Sequence, residues 1–500
     1  MAVRDERWRG GVSPSERLLM QQALTRASGA EPIPGNRAWL LCDARENYPA
    51  WLDAIRAARR WIHFETYIIH DDEVGLQFAE ALASRARDGV RVRVLYDWWG
   101  TFKLRPRRFW RVLRDAGADV RCFNPPRLDS PLAWMSRDHR KLIAVDGHVA
   151  FVTGLCVGNC WVGDPERQIE PWRDTGLELA GPAVGEVEHA FATMWAEAGE
   201  ALPEDECPVV EAIPPAGDLE MRVIATVPSS AGLYRLDHLV AASARERLWI
   251  TDAYFIATTP YVQALRAAAA DGVDVRVLVP GSSDVPGLRA VSISAYRPLL
   301  ESGVRVFEWN GSMLHAKTAV ADGRWARVGS TNLNPFSWLG NWELDVAVED
   351  ETFAGALESQ YEADLERSTE VVLTPRQRVK ALHPPALQGM RRSRRWRRRR
   401  GSAGRATAGA IGIGSAVGAA MRNRRGFGPS EARLLGPIAL VLILLAAAAV
   451  KWPRLIAWPF AILVGWWGVS LLARAARLYL EGRDRRKQAR TRDPRDIDTV

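Results

Sequence analysis

Residues 139–154 read HRKLIAVDGHVAFVTG, and residues 315–330 read HAKTAVADGRWARVGS. His139, Lys141 and Asp146 in the first stretch stand at the same offsets as His315, Lys317 and Asp322 in the second, 176 residues later. An apolar run, an Asp-Gly turn and a second apolar run match position by position. One eight-residue pattern arises easily by chance, whereas two copies inside a longer repeat are a strong signal. Two histidines held by two copies of one unit can meet across a shared cleft, as nucleophile and acid for phosphodiester chemistry.

The repeat reaches well upstream. Residues 64–97, FETYIIHDDEVGLQFAEALASRARDGVRVRVLYD, read as strand, loop, amphipathic helix, Asp-Gly turn and strand. Residues 250–281, ITDAYFIATTPYVQALRAAAADGVDVRVLVPG, read the same way. Runs such as VRVRVLYD and VDVRVLVP are short, β-branched and apolar, as buried strands are. The stretches between them carry apolar residues at helical spacing. Each half is therefore an α/β layer with helices flanking a mostly buried sheet. A chain of 500 residues holds two such halves with a surplus.

Alternation along a strand sends His139 and Lys141 to one face and Arg140 and Leu142 to the other, and it does the same for His315 and Lys317. A neutral imidazole can attack phosphorus, and an ammonium two positions along can hold a non-bridging oxygen. Asp146-Gly147 and Asp322-Gly323 fall where a hairpin must reverse. Turn chemistry and a direct chemical role are both open for the two aspartates.

These residues resemble the phospholipase D superfamily, and most closely its bacterial cardiolipin synthase branch, over roughly residues 36 to 370. The resemblance rests on both His-x-Lys-x4-Asp motifs and on Gly329-Ser330-Thr331-Asn332. It rests also on the stretch YDWWGT (96–101) and on PWRDTGLEL (171–179). It implies two tandem phospholipase D-like α/β sandwich repeats sharing one cleft, and phosphatidyl transfer through a phosphohistidine with no metal and no organic cofactor. It implies His139 and His315 as the catalytic pair, Lys141 and Lys317 as phosphoryl clamps, and Asp146 and Asp322 as the third members of the motifs. Asn332, seventeen residues after His315, would add a hydrogen bond to the same oxygens. Seventeen residues after His139 stands Cys156, so the first half departs from the pattern, and whether Asn159 compensates is open. Asp174 and Glu343 are the acids that would bond an imidazole nitrogen and fix its tautomer. Which histidine attacks is not legible, and the resemblance favours His139.

Charge is unevenly spread. From residue 376 onward 27 Lys and Arg stand against 6 Asp and Glu, a net +21, while the preceding 375 residues hold 40 against 53, or −13. An acidic body is a poor general nucleic-acid surface. The basic block Arg391–Arg400 suits anionic lipid headgroups. Two uncharged runs follow, 434–450 (LLGPIALVLILLAAAAV) and 455–473 (LIAWPFAILVGWWGVSLLA). As helices they reach about 25 and 28 Å, near a hydrocarbon thickness of about 30 Å. They predict a transmembrane hairpin, and the arginines flanking it put both ends and the catalytic body in the cytoplasm, at the inner membrane of a bacterium.

The expected organisation is an extension (1–35), two repeats (36–215 and 216–375), a basic linker (376–433), the hairpin (434–473) and a basic tail (474–500). The N-terminus lacks an apolar signal-peptide core. The five cysteines fit a reducing compartment, and Cys156 and Cys160 lack the further ligands of a zinc site. Of the 21 tryptophans, Trp134, Trp161, Trp172, Trp309, Trp338 and Trp342 lie near the motifs, as core or cleft wall. The implied activity joins two phosphatidylglycerols into cardiolipin and glycerol, with phospholipid and membrane as partners and no specific nucleic acid. A phospholipase D yielding phosphatidate stays open, because water and glycerol hydroxyls compete for one phosphohistidine. A nuclease-type phosphodiesterase is disfavoured by the acidic body, and a non-enzymatic scaffold by the intact motifs.

Overall fold

The strands called from sequence sit at the centre of a computed structural model that describes residues 14–126, 135–284, 288–373 and 379–381, with isolated positions between 451 and 469. Residues 1–124 and 136–424 form one compact unit, and 125–135 with 425–500 another. In the second, Lys451, Trp458, Trp466 and Val469 are helical and exposed. Among the described residues no helix is long and apolar enough to cross a membrane, and most of the expected hairpin lies outside them.

The first half contributes β1 (Ile33–Cys42), β2 (Trp61–Thr66), β3 (Arg91–Asp97), β4 (Asp119–Phe123), β5 (Leu142–Val145), β6 (Val149–Thr153) and β7 (Thr175–Ala180). The second contributes β8 (Leu219–Thr226), β9 (Arg247–Thr251), β10 (Asp274–Pro280), β11 (Arg305–Trp309), β12 (Thr318–Ala321), β13 (Trp325–Gly329) and β14 (Glu343–Glu349). β15 (Ser368–Leu373) and β16 (Val379–Ala381) close the chain's described sheet. The order β4-β3-β2-β5-β6-β7-β1 in one half recurs as β11-β10-β9-β12-β13-β14-β8 in the other. β1 and β8 join the two sets antiparallel, through a short, bulged pairing. The pairs β2–β3, β3–β4, β9–β10 and β10–β11 are parallel, and β15 and β16 extend the second set beyond β11.

Local chemistry explains why both halves make the same elements. The helix Glu73–Arg87 starts where Asp72 accepts the Gly75 amide, and Thr259–Ala270 where Thr258 accepts the Tyr261 amide. Both stop at an Asp-Gly pair whose glycine is left-handed, Gly89 at φ 87° and Gly272 at φ 94°. The hairpins β5–β6 and β12–β13 turn at Asp146-Gly147 and Asp322-Gly323, all four with positive φ, as a tight hairpin turn of primed type requires.

Every residue of β2, β5, β12 and β13 is buried, the polar His63, Glu65 and Arg327 along with the apolar majority. Three cores result. One is shared: Phe191, Met194 and Trp195 of the helix Ala183–Glu197 and Leu357 and Tyr361 of the helix Glu351–Glu366 pack with strands of both halves. The other two lie under the outer helices of each half. The shared core fixes the two motif strands relative to one another.

Candidate active site

Each His-x-Lys segment precedes its strand instead of lying within it, and each is stitched to the opposite half. Ahead of β5, the His139 amide donates to Trp342 O at 2.9 Å and the Trp342 amide to Arg137 O at 2.8 Å. Ahead of β12, the His315 amide donates to Arg173 O at 2.7 Å and the Arg173 amide to Met313 O at 2.8 Å. The alternation expected of a strand survives in this extended backbone. Arg140 turns away from the cleft, and its buried guanidinium donates to the carbonyls of Glu343, Ala190 and Thr226.

The backbone exchange carries a side-chain exchange with it. His139 Nδ1 lies 2.9 Å from Glu343 Oε2, and His315 Nδ1 lies 2.7 Å from Asp174 Oδ2. Each histidine is thus paired with the acid of the other half. Asp174 also accepts from Trp161 Nε1 at 3.2 Å and from the Thr175 amide at 2.9 Å. A glycine at 154 makes room for it, because a Cβ there would come within 2.2 Å of Asp174 Oδ1. Arg173, next to it, is anchored on Asp364 at 2.9 Å and on Asp43 at 3.3 Å. Glu343 accepts from Ser330 Oγ at 2.6 Å and Asn341 Nδ2 at 3.2 Å.

The two pairs differ electrostatically. Burial, reinforced by Lys141, Lys317 and His315, holds His139 well below the usual histidine range. Burial and Lys317 also lower His315, with Asp174 opposing them. Burial pushes the Glu343 carboxyl up to about 7, against the pull of Lys141. Burial would raise Asp174 too, but the charge and hydrogen bond of His315, Lys317 and the Thr175 amide outweigh it and leave the carboxyl below its ordinary value. Ionised Asp174 has no proton to give, so His315 Nδ1 is the N–H and Nε2 keeps the lone pair. Lys317 Nζ, 3.0 Å from that Nδ1, is then a charge beside the ring, and it donates to His315 O. Lys141 Nζ donates to His139 O in the same way.

Two tyrosines occupy equivalent places. Tyr67 meets His139 edge-on, ring centroids 4.8 Å apart, and lies 5.1 Å from Lys141 Nζ. Tyr254 meets His315 at 5.9 Å and lies 5.9 Å from Lys317 Nζ. Neither was singled out from sequence. The signal was present in FETY against TDAY, where both tyrosines follow a buried strand and an acid. Behind Lys141, the buried carboxyls of Glu65 and Asp138 are both raised, by burial first and for Glu65 by Asp138 next, so the pair retains a proton. This pair has no counterpart in the second half, where Leu314 replaces Asp138.

Asp146 and Asp322 lie apart from this cluster, at the hairpin turns, which is the first of the two readings left open for them. The Asp146 carboxylate accepts the amides of Arg59, Arg60 and Trp61, each at 2.8 Å. Asp322 does the same for Arg245, Glu246 and Arg247. These amides open β2 and β9, whereas Tyr67 follows the far end of β2, six residues and about 20 Å along. The aspartates fasten the motif hairpin to the neighbouring strand. Asn332 is buried, and its side-chain oxygen has no hydrogen-bond partner among the described residues. Cys156 is buried as well, with its thiol raised above all by burial. Asn159 is engaged elsewhere, accepting the Val74 amide at 3.2 Å. Trp161 and Trp172 wall His315 at centroid distances of 5.9 and 5.7 Å. Trp338 instead donates to buried Asp237 in the core, and Trp134 lies outside the described residues.

Residues 51–157 and 240–365 match the family described as cardiolipin synthase, PLD-like domain. The cardiolipin synthase A of Pseudomonas aeruginosa (strain UCBPP-PA14) is 35% identical over 369 residues, covering 72% of this chain and 73% of that protein. The cardiolipin synthase of Alkalihalophilus pseudofirmus is 33% identical over 359 residues, 70% of this chain and 71% of that one. Among solved structures, the phosphatidylserine synthase of Haemophilus influenzae shares the fold at a TM-score of 0.52 and 15% identity, over 72% of this chain and 91% of its own. The chain belongs to the phospholipase D superfamily, in its cardiolipin synthase branch.

Proposed function

We propose that the enzyme joins two phosphatidylglycerols into cardiolipin and glycerol through a phosphohistidine. The observation that carries this reading is the crossed pairing of each imidazole Nδ1 with an acid of the opposite half, which leaves both Nε2 atoms free of those acids, one to attack phosphorus and the other to carry the transferred proton. His139, held neutral, is the nucleophile: its Nε2 bonds to phosphorus as the bond to the glycerol oxygen breaks. His315, whose charged form is supported by ionised Asp174, gives its proton to that oxygen. The now neutral His315 takes the proton from a hydroxyl of the second phosphatidylglycerol. That oxygen bonds to phosphorus and releases His139. Lys141 and Lys317 face the phosphoryl oxygens, where charge grows in the transition state, and the Asn332 amide bonds one of them.

In this reading residues 36–215 and 216–375 are the two repeats, supported by the repeated strand order. The uncharged runs 434–450 and 455–473 anchor the chain in the cytoplasmic membrane with the cleft on the cytoplasmic side, supported by their composition and flanking arginines. The test supplies purified full-length chain with headgroup- and phosphate-labelled phosphatidylglycerol. Cardiolipin and free glycerol in equal amounts are expected, and phosphatidate as the main product would make the enzyme a hydrolase.

A further inference from the structure

The loop after β3 is built to stand out from the body beside the cleft. Asp97 Oδ1 accepts the Gly100 amide at 2.9 Å, Thr101 Oγ1 donates to Asp97 O at 2.9 Å, and the Leu104 and Arg105 amides both return to Thr101 O. On the far side, Asp71 accepts the amides of Arg108 and Phe109, while Trp110 stacks on Tyr96 at 4.1 Å. Between these two moorings the tip is presented to solvent, with Phe102 42% and Leu104 36% exposed. Lys103, Arg105, Arg107, Arg108 and Arg111 surround it, all exposed, and no acid stands between Trp98 and Val112. An acid-free basic stretch with an apolar point departs from a body whose first 375 residues carry −13.

The root of the loop touches the reactive segment. The other carboxylate oxygen of Asp97 accepts the Asp138 amide at 3.0 Å, one residue before His139. Gly100 lies so close to Tyr67 that a Cβ would fall 1.9 Å from Tyr67 O, and Tyr67 is the ring against His139.

We propose that this loop docks on an anionic phospholipid bilayer, Phe102 and Leu104 entering the headgroup boundary and the cations meeting phosphate, so that the cleft opens directly onto the lipid surface. Apolar point and basic collar are the two components of interfacial binding. The inference rests on reading the cleft as a phospholipid site, and it assigns to the body a membrane contact separate from the C-terminal runs.

Two measurements on the full chain test it. A nitroxide placed by Phe102→Cys, read against the parent chain carrying the same label on its native cysteines, should gain accessibility to oxygen and lose it to a water-soluble nickel chelate on phosphatidylglycerol vesicles. The change should be smaller on phosphatidylcholine vesicles and shrink with salt. No change on either vesicle overturns the docking. Shielding by a DNA duplex in place of vesicles overturns it in favour of nucleic acid, and shielding that grows with protein concentration in favour of self-association. The double variant Phe102→Ser/Leu104→Ser should lose about tenfold in turnover on phosphatidylglycerol vesicles, yet change less than about twofold on short-chain phosphatidylglycerol below its micelle threshold. Equal losses on both substrates would make the loop structural and sink the proposal, as would full activity on vesicles. If the parent chain fails on the monomeric lipid as well, the functional reading falls, while the nitroxide still judges the docking on its own.

Discussion

His139 and His315 have neighbours of the same kinds, a lysine two residues on, a tyrosine edge and a carboxylate at Nδ1, but not of the same charge. Asp174 is short, fed by a backbone amide and an indole N–H, and stays ionised. Glu343 is one methylene longer, bonded to a hydroxyl and an amide side chain, and burial lifts it to about 7. A fixed anion favours an imidazole that must carry a proton. A carboxyl near its midpoint favours one that must stay neutral. The same frame therefore makes two unlike bases: burial and the lysines lower both, and His315 has an ionised partner that opposes them.

The largest effect should come from the histidines themselves. His139→Ala and His315→Ala should each lower kcat by at least about 10³-fold, since each removes a bond-making or proton-moving group. Rapid acid quench should then trap labelled phosphate on a peptide containing His139. Label on a peptide containing His315 instead would invert the comparison.

Next come the two acids. Asp174→Asn should cost about 10²-fold in kcat, and Glu343→Gln about tenfold, because glutamine resembles the protonated form that Glu343 already populates near neutrality. Equal losses would mean that the two pairs are electrostatically alike.

Asp146→Asn and Asp322→Asn should act on stability and leave kcat within about threefold. Each weakens charge-assisted bonds to three successive amides, worth about 1–2 kcal/mol together, readable in denaturant unfolding. A loss of turnover without loss of stability would return both residues to the chemistry.

The smallest effect is a pH-dependent one. A carboxyl raised by burial weighs against the fold only where the unfolded chain would ionise it. For Glu343 that cost is absent below about 4.5 and complete above about 7. Glu343→Gln should therefore leave Tm unchanged at pH 4.5 and raise it by a few degrees at pH 8. A rise of equal size at both pH values would show that Glu343 is not raised.

The repeat made much of this legible. Strands β3 and β10, the capped helices before them and both hairpin turns follow from periodicity, caps and Asp-Gly pairs, which are local properties. Both acids could be picked out, because they recur at comparable distances after the motifs. That each serves the opposite histidine could not, since the exchange depends on how the shared core sets two extended segments side by side. Asp146 and Asp322 were ambiguous for a different reason. A hairpin turn and a reactive site both call for aspartate, and only the partners of the carboxylate tell them apart.

The exchanged acids have a consequence for ancestry and for dissection. Their geometry is that of a two-fold dimer in which each protomer lends its carboxylate to its neighbour, here joined into one chain across β1 and β8. A lone half would hold a histidine without its acid and an acid without its histidine. Residence in one chain also frees the copies from identity. A symmetric dimer must carry the same residue at both equivalent places, whereas this chain can set Asp against Glu, Cys156 against Asn332, and Asp138 against Leu314. Differences of sequence between the two sites are open to the single chain and closed to the symmetric dimer.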